Sequence, residues 1–270
     1  MPELPEVETI VRGLAPVLEG RRIASIELRR ADLRRPFPPD LRQRLTGARV
    51  TGLGRRAKYG LIETDRGDTM IFHLGMSGHW RINPQVIGAH DHLILETDEE
   101  VTLSLNDPRR FGSLDLMPTE EVDQWPPFKA LGPEPVGDAL SGSWFKRAFA
   151  GRTAAVKLLL LDQRIVAGLG NIYACEALYR AGISPLRAGG SLTLARLKRL
   201  ASAIPEVLEE AIAAGGSSLR DFARPDGELG YFSKQFAVYD REGQACVCVG
   251  TVKRIVQGGR STFYCPRCQR

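Results

Sequence analysis

Apolar residues at the start of the chain recur at three- and four-residue steps: Leu4, Val7, Ile10, Val11, Leu14 and Leu18. That spacing predicts an amphipathic helix from about Pro5 to Leu18, stopped at Gly20. From about Arg22 to Met117 the period shortens to two. The runs RIASIELRR, ARVTGLGRR, YGLIET, TMIFHL, WRIN, HLILET, VTLSL and FGSLDL read as short strands punctuated by Gly, Pro, Asn and Asp. HLILETDEEVTLSL predicts a hairpin that turns at Asp98, Glu99 and Glu100. Regularly spaced short strands predict a sandwich or flattened barrel, with the first helix packed against it.

After the proline-rich QWPPFKALGPEPVG the pattern turns helical, with helices expected at about 137–150, 153–164, 171–182 and 192–214, the last ending at Gly215 and Gly216. The switch near residue 130 marks a domain boundary. SSLRDFARPDGELGYF reads as a long irregular loop, and a cysteine-rich module follows it. There the segment GTVKRIVQGGRSTFY predicts two strands joined at Gly258 and Gly259.

Composition narrows the class without changing this picture. A chain of 270 residues, 43% hydrophobic and 26% charged, belongs with soluble globular proteins. No apolar run approaches the length of a membrane span. The N-terminus carries acids where a secretory signal would carry a basic and then an apolar stretch, so a cytoplasmic protein is expected. The net charge of +5 is compatible with a polyanion partner. Its location says more: from Cys246 onward there is no Asp or Glu, yet Lys253, Arg254, Arg260, Arg267 and Arg270 all lie there.

That basic segment also holds four of the five cysteines. Cys246-x-Cys248, then sixteen residues, then Cys265-x-x-Cys268 can offer four thiolates to one tetrahedral Zn²⁺. Arg260, beside the glycine turn, is placed to meet a DNA phosphate. Cys175 reads as a small buried hydrophobe. In AGLGNIYACEAL, Gly168 and Gly170 allow a tight turn and Asn171 can cap the helix that follows. The alternatives are a phosphate-binding turn and an ordinary helix–helix corner. NDPRRFG puts Arg109, Arg110 and Phe111 at a turn between strands. Phe111 is there either a wedge that unstacks bases or a buried ring at a strand start. Met76 sits in a similar turn, where methionine is often core filler. In RRAKYG, Arg55, Arg56 and Lys58 either protect a sheet edge or contact phosphate.

The four histidines form no ligand set, and there is no Walker-type loop, G-x-S-x-G or H-E-x-x-H. Chemistry must come from carboxylates, lysines or the N-terminus. The opening MPELPEVETI has two readings. Proline and glutamate suit the first turn of a helix. Alternatively, Pro2 becomes the first residue after loss of Met1, a free secondary amine with Glu3 beside it.

Taken together, MPELPEVET, RRAKYG, HLGMSG, NDPRRFG, LGPEP, LLLDQRIVAGLGNIYACEALYRAGI, GGSSLRDF, DGELGYF and GGRSTFYCPRCQ make the chain resemble the bacterial formamidopyrimidine-DNA glycosylases over essentially its full length. The resemblance implies an α+β fold. An N-terminal helix and two-layer β-sandwich (1–130) would be followed by a helix–two-turn–helix domain (131–235) and a zinc-finger β-hairpin (236–270) holding one structural zinc. It implies a monomeric cytoplasmic enzyme, active at the nucleoid, that removes oxidised purines from double-stranded DNA and cleaves abasic sites.

By the same resemblance Pro2 is the nucleophile that forms a Schiff base, Glu3 the general acid/base and Glu6 a supporting carboxylate. Lys58 contacts the phosphates around the lesion. Met76, Arg109 and Phe111 fill the gap left by the flipped nucleotide, and Asn171 and Arg260 hold phosphates. The loop over the everted base draws on Ser217, Ser218, Arg220 and Tyr231. Zinc falls to Cys246, Cys248, Cys265 and Cys268, although the family's first pair is usually Cys-x-x-Cys and here Val247 alone separates it. A sister branch, endonuclease VIII, prefers oxidised pyrimidines and usually has glycine after the catalytic glutamate. Leu4 at that position, together with NDPRRFG, favours purine lesions. A zinc-ribbon protein that binds DNA without turnover is the remaining alternative.

Overall fold

The computed structural model describes residues 2–136, 140–217, 225 and 230–270. Their contacts gather into two compact units, Met1–Lys129 with Ala214–Tyr231, and Ala130–Ala213 with Phe232–Arg270. The chain thus changes unit near residue 130. The segment Ala214–Tyr231, which the sequence groups with the helices, returns to the first unit, and the cysteine-rich module shares the second with the helices.

In the first unit, α1 (Leu4–Leu18) buries the whole predicted stripe. Eight strands follow among the described residues: β1 (Ile23–Leu28), β2 (Val50–Arg56), β3 (Tyr59–Thr64), β4 (Asp68–His73), β5 (His79–Ile82), β6 (Asp91–Thr97), β7 (Thr102–Asn106) and β8 (Ser113–Pro118). They form two antiparallel four-stranded sheets, ordered β1-β6-β7-β5 and β2-β3-β4-β8. The expected β6–β7 hairpin is present, with Glu100 in a left-handed conformation at its turn. One apolar cluster draws on both sheets and the helix, including Leu14 from α1, Leu93 and Leu105 from one sheet and Ile62 and Phe72 from the other. The Phe72 and Trp80 rings meet edge to face at 5.7 Å within it. Gly60 in β3 is required by that packing, since a Cβ there would lie 2.0 Å from the Phe72 ring.

Two one-turn helices, α2 (Leu41–Leu45) and α3 (Pro126–Lys129), also belong to the first unit. The second carries α4 (Gly142–Ala148), α5 (Val156–Leu160), α6 (Asn171–Arg180) and α7 (Leu194–Ala213). The helix expected at 137–150 is seen from Gly142, where the Ser141 hydroxyl accepts from the Trp144 N–H at 3.1 Å and caps it. The helix expected at 153–164 is one short turn. Ala155 forms a β-bridge with Ala188 before it, and after it the Asp162 carboxylate accepts from the Arg164 N–H and closes a tight turn. The C-terminal strands β9 (Lys253–Gln257) and β10 (Arg260–Tyr264) pair as an antiparallel hairpin through Gly258 and Gly259, both left-handed. Among the described residues no helix is long and apolar enough to cross a membrane.

Candidate functional site

The N-terminal carboxylates are buried, and α1 explains why they stay in place. Pro2 is buried, and Glu3 and Glu6 are only 3% and 2% exposed. Glu3 is the N-cap of α1 and pairs with Glu6 in a reciprocal capping box, in which the Glu3 N–H donates to Glu6 Oε2 at 2.9 Å. The other Glu6 oxygen accepts from both the Ser217 N–H and the Ser217 hydroxyl, each at 2.9 Å. One carboxylate therefore ties the Pro2–Glu3 end to a residue 211 positions away. Ser217 forms a β-bridge with Tyr231, whose side chain is exposed. Ser218 and Arg220 lie outside the described residues.

Lys58 occupies the two-residue turn between β2 and β3, after Ala57 in a left-handed conformation, and is 7% exposed. It is no solvated sheet edge. Neighbouring Arg55 is held to Glu8 at 2.9 Å and donates to the Ala57 carbonyl, which fixes the turn against α1. His73 is half-buried, with its Nδ1 accepting from the Gly75 N–H at 3.0 Å. Desolvation, and then the charges of Lys58, Arg34 and Arg35, lower its pKa from 6.5 to about 4.

The folded protein thus keeps His73 neutral while the unfolded chain takes up a proton near pH 6.5, so stability falls as pH drops from 6.5 towards 4. The full loss from this one group is about 3 kcal/mol. Urea midpoints for wild type and His73→Asn, which retains an acceptor for the Gly75 N–H, should converge as pH falls from 7 to 5. Parallel pH dependence in the two proteins would refute the assignment.

Two turns of the first unit project side chains outward. Met76 is 39% exposed and Phe111 44%, so neither is core filler or a buried strand-start ring. Arg109 is exposed as well, with its guanidinium carbon 4.7 Å from the Phe111 ring centroid.

In the second unit Asn171 differs from expectation. The N-cap of α6 is Gly170, and no side chain caps it. Asn171 is the first helical residue, and its Nδ2 donates to the Ser261 carbonyl at 2.9 Å and to the Tyr239 hydroxyl at 3.4 Å. It therefore fastens α6 to the C-terminal hairpin. Arg260 is exposed at the glycine turn of that hairpin.

Cys246, Cys248, Cys265 and Cys268 bring their sulfurs within 4.8 Å of one another, with Cys246 3.6 Å from Cys268 and Cys248 3.5 Å from Cys265. A tetrahedron of thiolates about 2.3 Å from a zinc has edges of about 3.8 Å, so the donor set fits one such ion. The short first pair closes through a tight turn. The Cys246 N–H donates to the Gly250 carbonyl at 2.7 Å, and Val249 takes a left-handed conformation. Cys175 is buried beneath the cluster, packed with Val238, Val252 and Phe263.

Among the buried polar residues that the sequence does not single out, three support these elements directly. Glu176 on α6 accepts from the N–H groups of Ala237, Val238 and Tyr239 at 2.8–3.0 Å. Asp107 and Ser77 hydrogen-bond to each other at 2.6 Å, beneath the turns that carry Phe111 and Met76. A charged residue inside the apolar face of α6 was the available signal for Glu176. Asp107 and Ser77 lie inside NDPRRFG and HLGMSG, but as ordinary turn residues they carry no mark of burial in the sequence.

Comparison with known proteins covers the whole chain. The family model for the formamidopyrimidine-DNA glycosylase N-terminal domain matches residues 1–114, and that for the H2TH domain of the same glycosylases matches 131–223. A zinc-finger model, found in FPG and IleRS, matches 247–270, starting one residue after Cys246. The formamidopyrimidine-DNA glycosylase of Novosphingobium aromaticivorans is 69% identical over 270 residues, spanning 100% of both chains. A Lactococcus lactis Fpg mutant bound to DNA containing Fapy-dG superposes with a TM-score of 0.92 at 34% identity, covering 100% of each chain. The Lactococcus lactis Fpg bound to DNA with an abasic site gives 0.91 at 35% identity, covering 99% of each.

Proposed function

The chain belongs to the formamidopyrimidine-DNA glycosylase family, and on that footing we propose how its own residues carry out the chemistry. It is a base-excision DNA glycosylase and AP lyase that removes oxidised purines from double-stranded DNA, with one structural zinc in its finger. It acts as a monomer in the cytoplasm, at the nucleoid.

Pro2, freed by removal of Met1, supplies the nucleophile. Its nitrogen lone pair attacks C1′ of the damaged nucleotide, the glycosidic bond breaks, and the base departs with the bonding electrons and takes up a proton. Glu3 delivers a proton to the ring oxygen O4′ as the C1′–O4′ bond opens, leaving an iminium between Pro2 and C1′. A secondary amine reaches this state after losing its single proton, and an α-amine titrates close enough to neutrality to be partly unprotonated. Loss of a C2′ proton then expels the 3′ phosphate, and a second elimination expels the 5′ phosphate.

Glu6 holds the Glu3 N–H and Ser217 and so fixes where Pro2 and Glu3 stand; the capping box is the observation that carries the reading. Lys58 balances phosphate charge at the lesion. Met76, Arg109 and Phe111 occupy the space the everted nucleotide leaves, with Arg109 addressing the orphaned cytosine. Arg260 and the Asn171 turn hold backbone phosphates, and Ser217, Ser218, Arg220 and Tyr231 border the everted base.

Borohydride trapping on a duplex carrying 8-oxoguanine opposite cytosine, with protein bearing its native N-terminus, tests this reading. The expected result is a covalent adduct that peptide mass spectrometry maps to Pro2. An adduct mapped elsewhere would remove Pro2 as nucleophile. Trapping only on an oxidised-pyrimidine duplex would overturn the substrate.

A further inference from the structure

Asp107 is fully buried, yet its carboxylate oxygens accept from a hydroxyl and a backbone amide rather than from a guanidinium. Oδ1 accepts from the Ser77 hydroxyl at 2.6 Å, and Oδ2 from the Gly112 N–H at 2.8 Å. Its carbonyl accepts from the Arg110 N–H at 3.1 Å and lies 2.9 Å from His92 Nε2, and its N–H donates to the His90 carbonyl. Ser77 in turn accepts from the Arg109 N–H at 3.2 Å. One buried carboxylate and one buried hydroxyl thus join the turn carrying Met76 to the turn carrying Arg109 and Phe111.

The two turns are also interlocked sterically. Gly75 is left-handed, and a Cβ there would come within 2.3 Å of the Phe111 carbonyl carbon. A Cβ on Gly112 would approach the His73 carbonyl to 2.8 Å and Asp107 Oδ2 to 3.0 Å. A buried carboxylate needs a donor at each oxygen, so the Ser77 hydroxyl and the Gly112 N–H are held at fixed positions around it.

We infer that Asp107 and Ser77 are positioning residues that clamp the two turns into one rigid wedge, so that Met76, Arg109 and Phe111 enter the base stack together and do not recoil when they displace the damaged nucleotide. The inference rests on the assignment of those three side chains as the wedge. The clamp matters for displacing a stacked, paired base and matters less where no base has to leave the stack. It therefore affects excision from an intact lesion pair more than cleavage at a preformed abasic site.

Ser77→Ala removes the bridge while leaving Asp107 its Gly112 partner, and Asp107→Asn keeps the volume but presents a donor to Ser77. Single-turnover rates are measured on an 8-oxoguanine:cytosine duplex and on an abasic duplex. The fluorescence of 2-aminopurine beside the lesion reports unstacking, and Phe111→Ala serves as a control. In Ser77→Ala the ratio of excision to abasic cleavage should fall by about tenfold, with a matching slowing of the fluorescence change. The double variant should be no slower than the slower single one, because both act through one hydrogen bond.

Equal slowing on both substrates would mean the pair merely supports the fold. An unchanged Ser77→Ala, or effects that multiply in the double variant, would also overturn the clamp. If Phe111→Ala itself leaves the fluorescence change intact, the wedge assignment fails, and the clamp with it. Should Asp107→Asn not fold, Ser77→Ala alone decides the question.

Discussion

Adding one residue ahead of Pro2 should abolish the borohydride-trappable adduct and slow excision by at least about a thousandfold. The extension turns the proline nitrogen into a tertiary amide, whose lone pair is delocalised into the carbonyl and which has no basic form. No neighbouring group can restore nucleophilicity to such an atom. Pro2→Ala is the informative companion, since it leaves a primary α-amine in nearly the same place. That variant should still form a trappable imine, at a reduced rate, and the adduct should map to the new first residue. The fold should tolerate both changes, because Glu3 and Glu6 cap α1 through their own N–H groups and carboxylates. Melting temperature and duplex binding are measured alongside. Retained trapping in the extended protein would show that the nucleophile lies elsewhere.

Loss of the metal should be the second large effect. Of the six buried members of the apolar cluster beneath the finger, Cys175, Cys246 and Cys265 are cysteines, leaving only Val238, Val252 and Phe263 as ordinary hydrophobes. So small a core cannot hold the β9–β10 hairpin unaided, and a structural zinc contributes roughly 10 kcal/mol or more to folding a module of this kind. Cys265, with no exposed surface, is the ligand whose replacement the module can least absorb. Cys265→Ser should drop zinc from one per chain to none, as read by a colorimetric chelator after denaturation. Duplex affinity at physiological salt should fall by at least about a hundredfold, as Arg260 and its basic neighbours lose their fixed positions. Zinc-free protein that still binds duplex DNA normally would show that the hairpin is self-supporting.

Local features were legible in the sequence, and features fixed by distant partners were not. The stripe of α1, the strands of the first unit and both hairpins follow from periods of 3.6 and 2, which each segment carries by itself. The short α5 departs from its own apolar run because Ala155 pairs with Ala188 on one side and Asp162 closes a turn on the other. Asn171 has the chemistry of a cap, but a carbonyl on β10 claims its amide. Ser217 looks like a loop residue until Glu6 is seen beneath it, and Asp107 and Ser77 look like any polar turn. The four cysteines were legible because metal ligation demands residue types rare enough to stand out, whereas a buried carboxylate has the same letter as a solvated one.

The three amides that Glu176 gathers bear on how such a finger travels between proteins. The same kind of finger is found in two enzyme families, which invites the view that it is a cassette to be appended anywhere. In this chain the cassette has a socket. Glu176 receives the backbone leading into it, Asn171 grips its second strand, and Cys175 floors it. All three belong to α6, outside the finger's own sequence. A chimera that exchanges residues 236–270 alone transplants the plug without the socket. One that carries α6 along exchanges a complete joint, so the junction belongs ahead of Asn171.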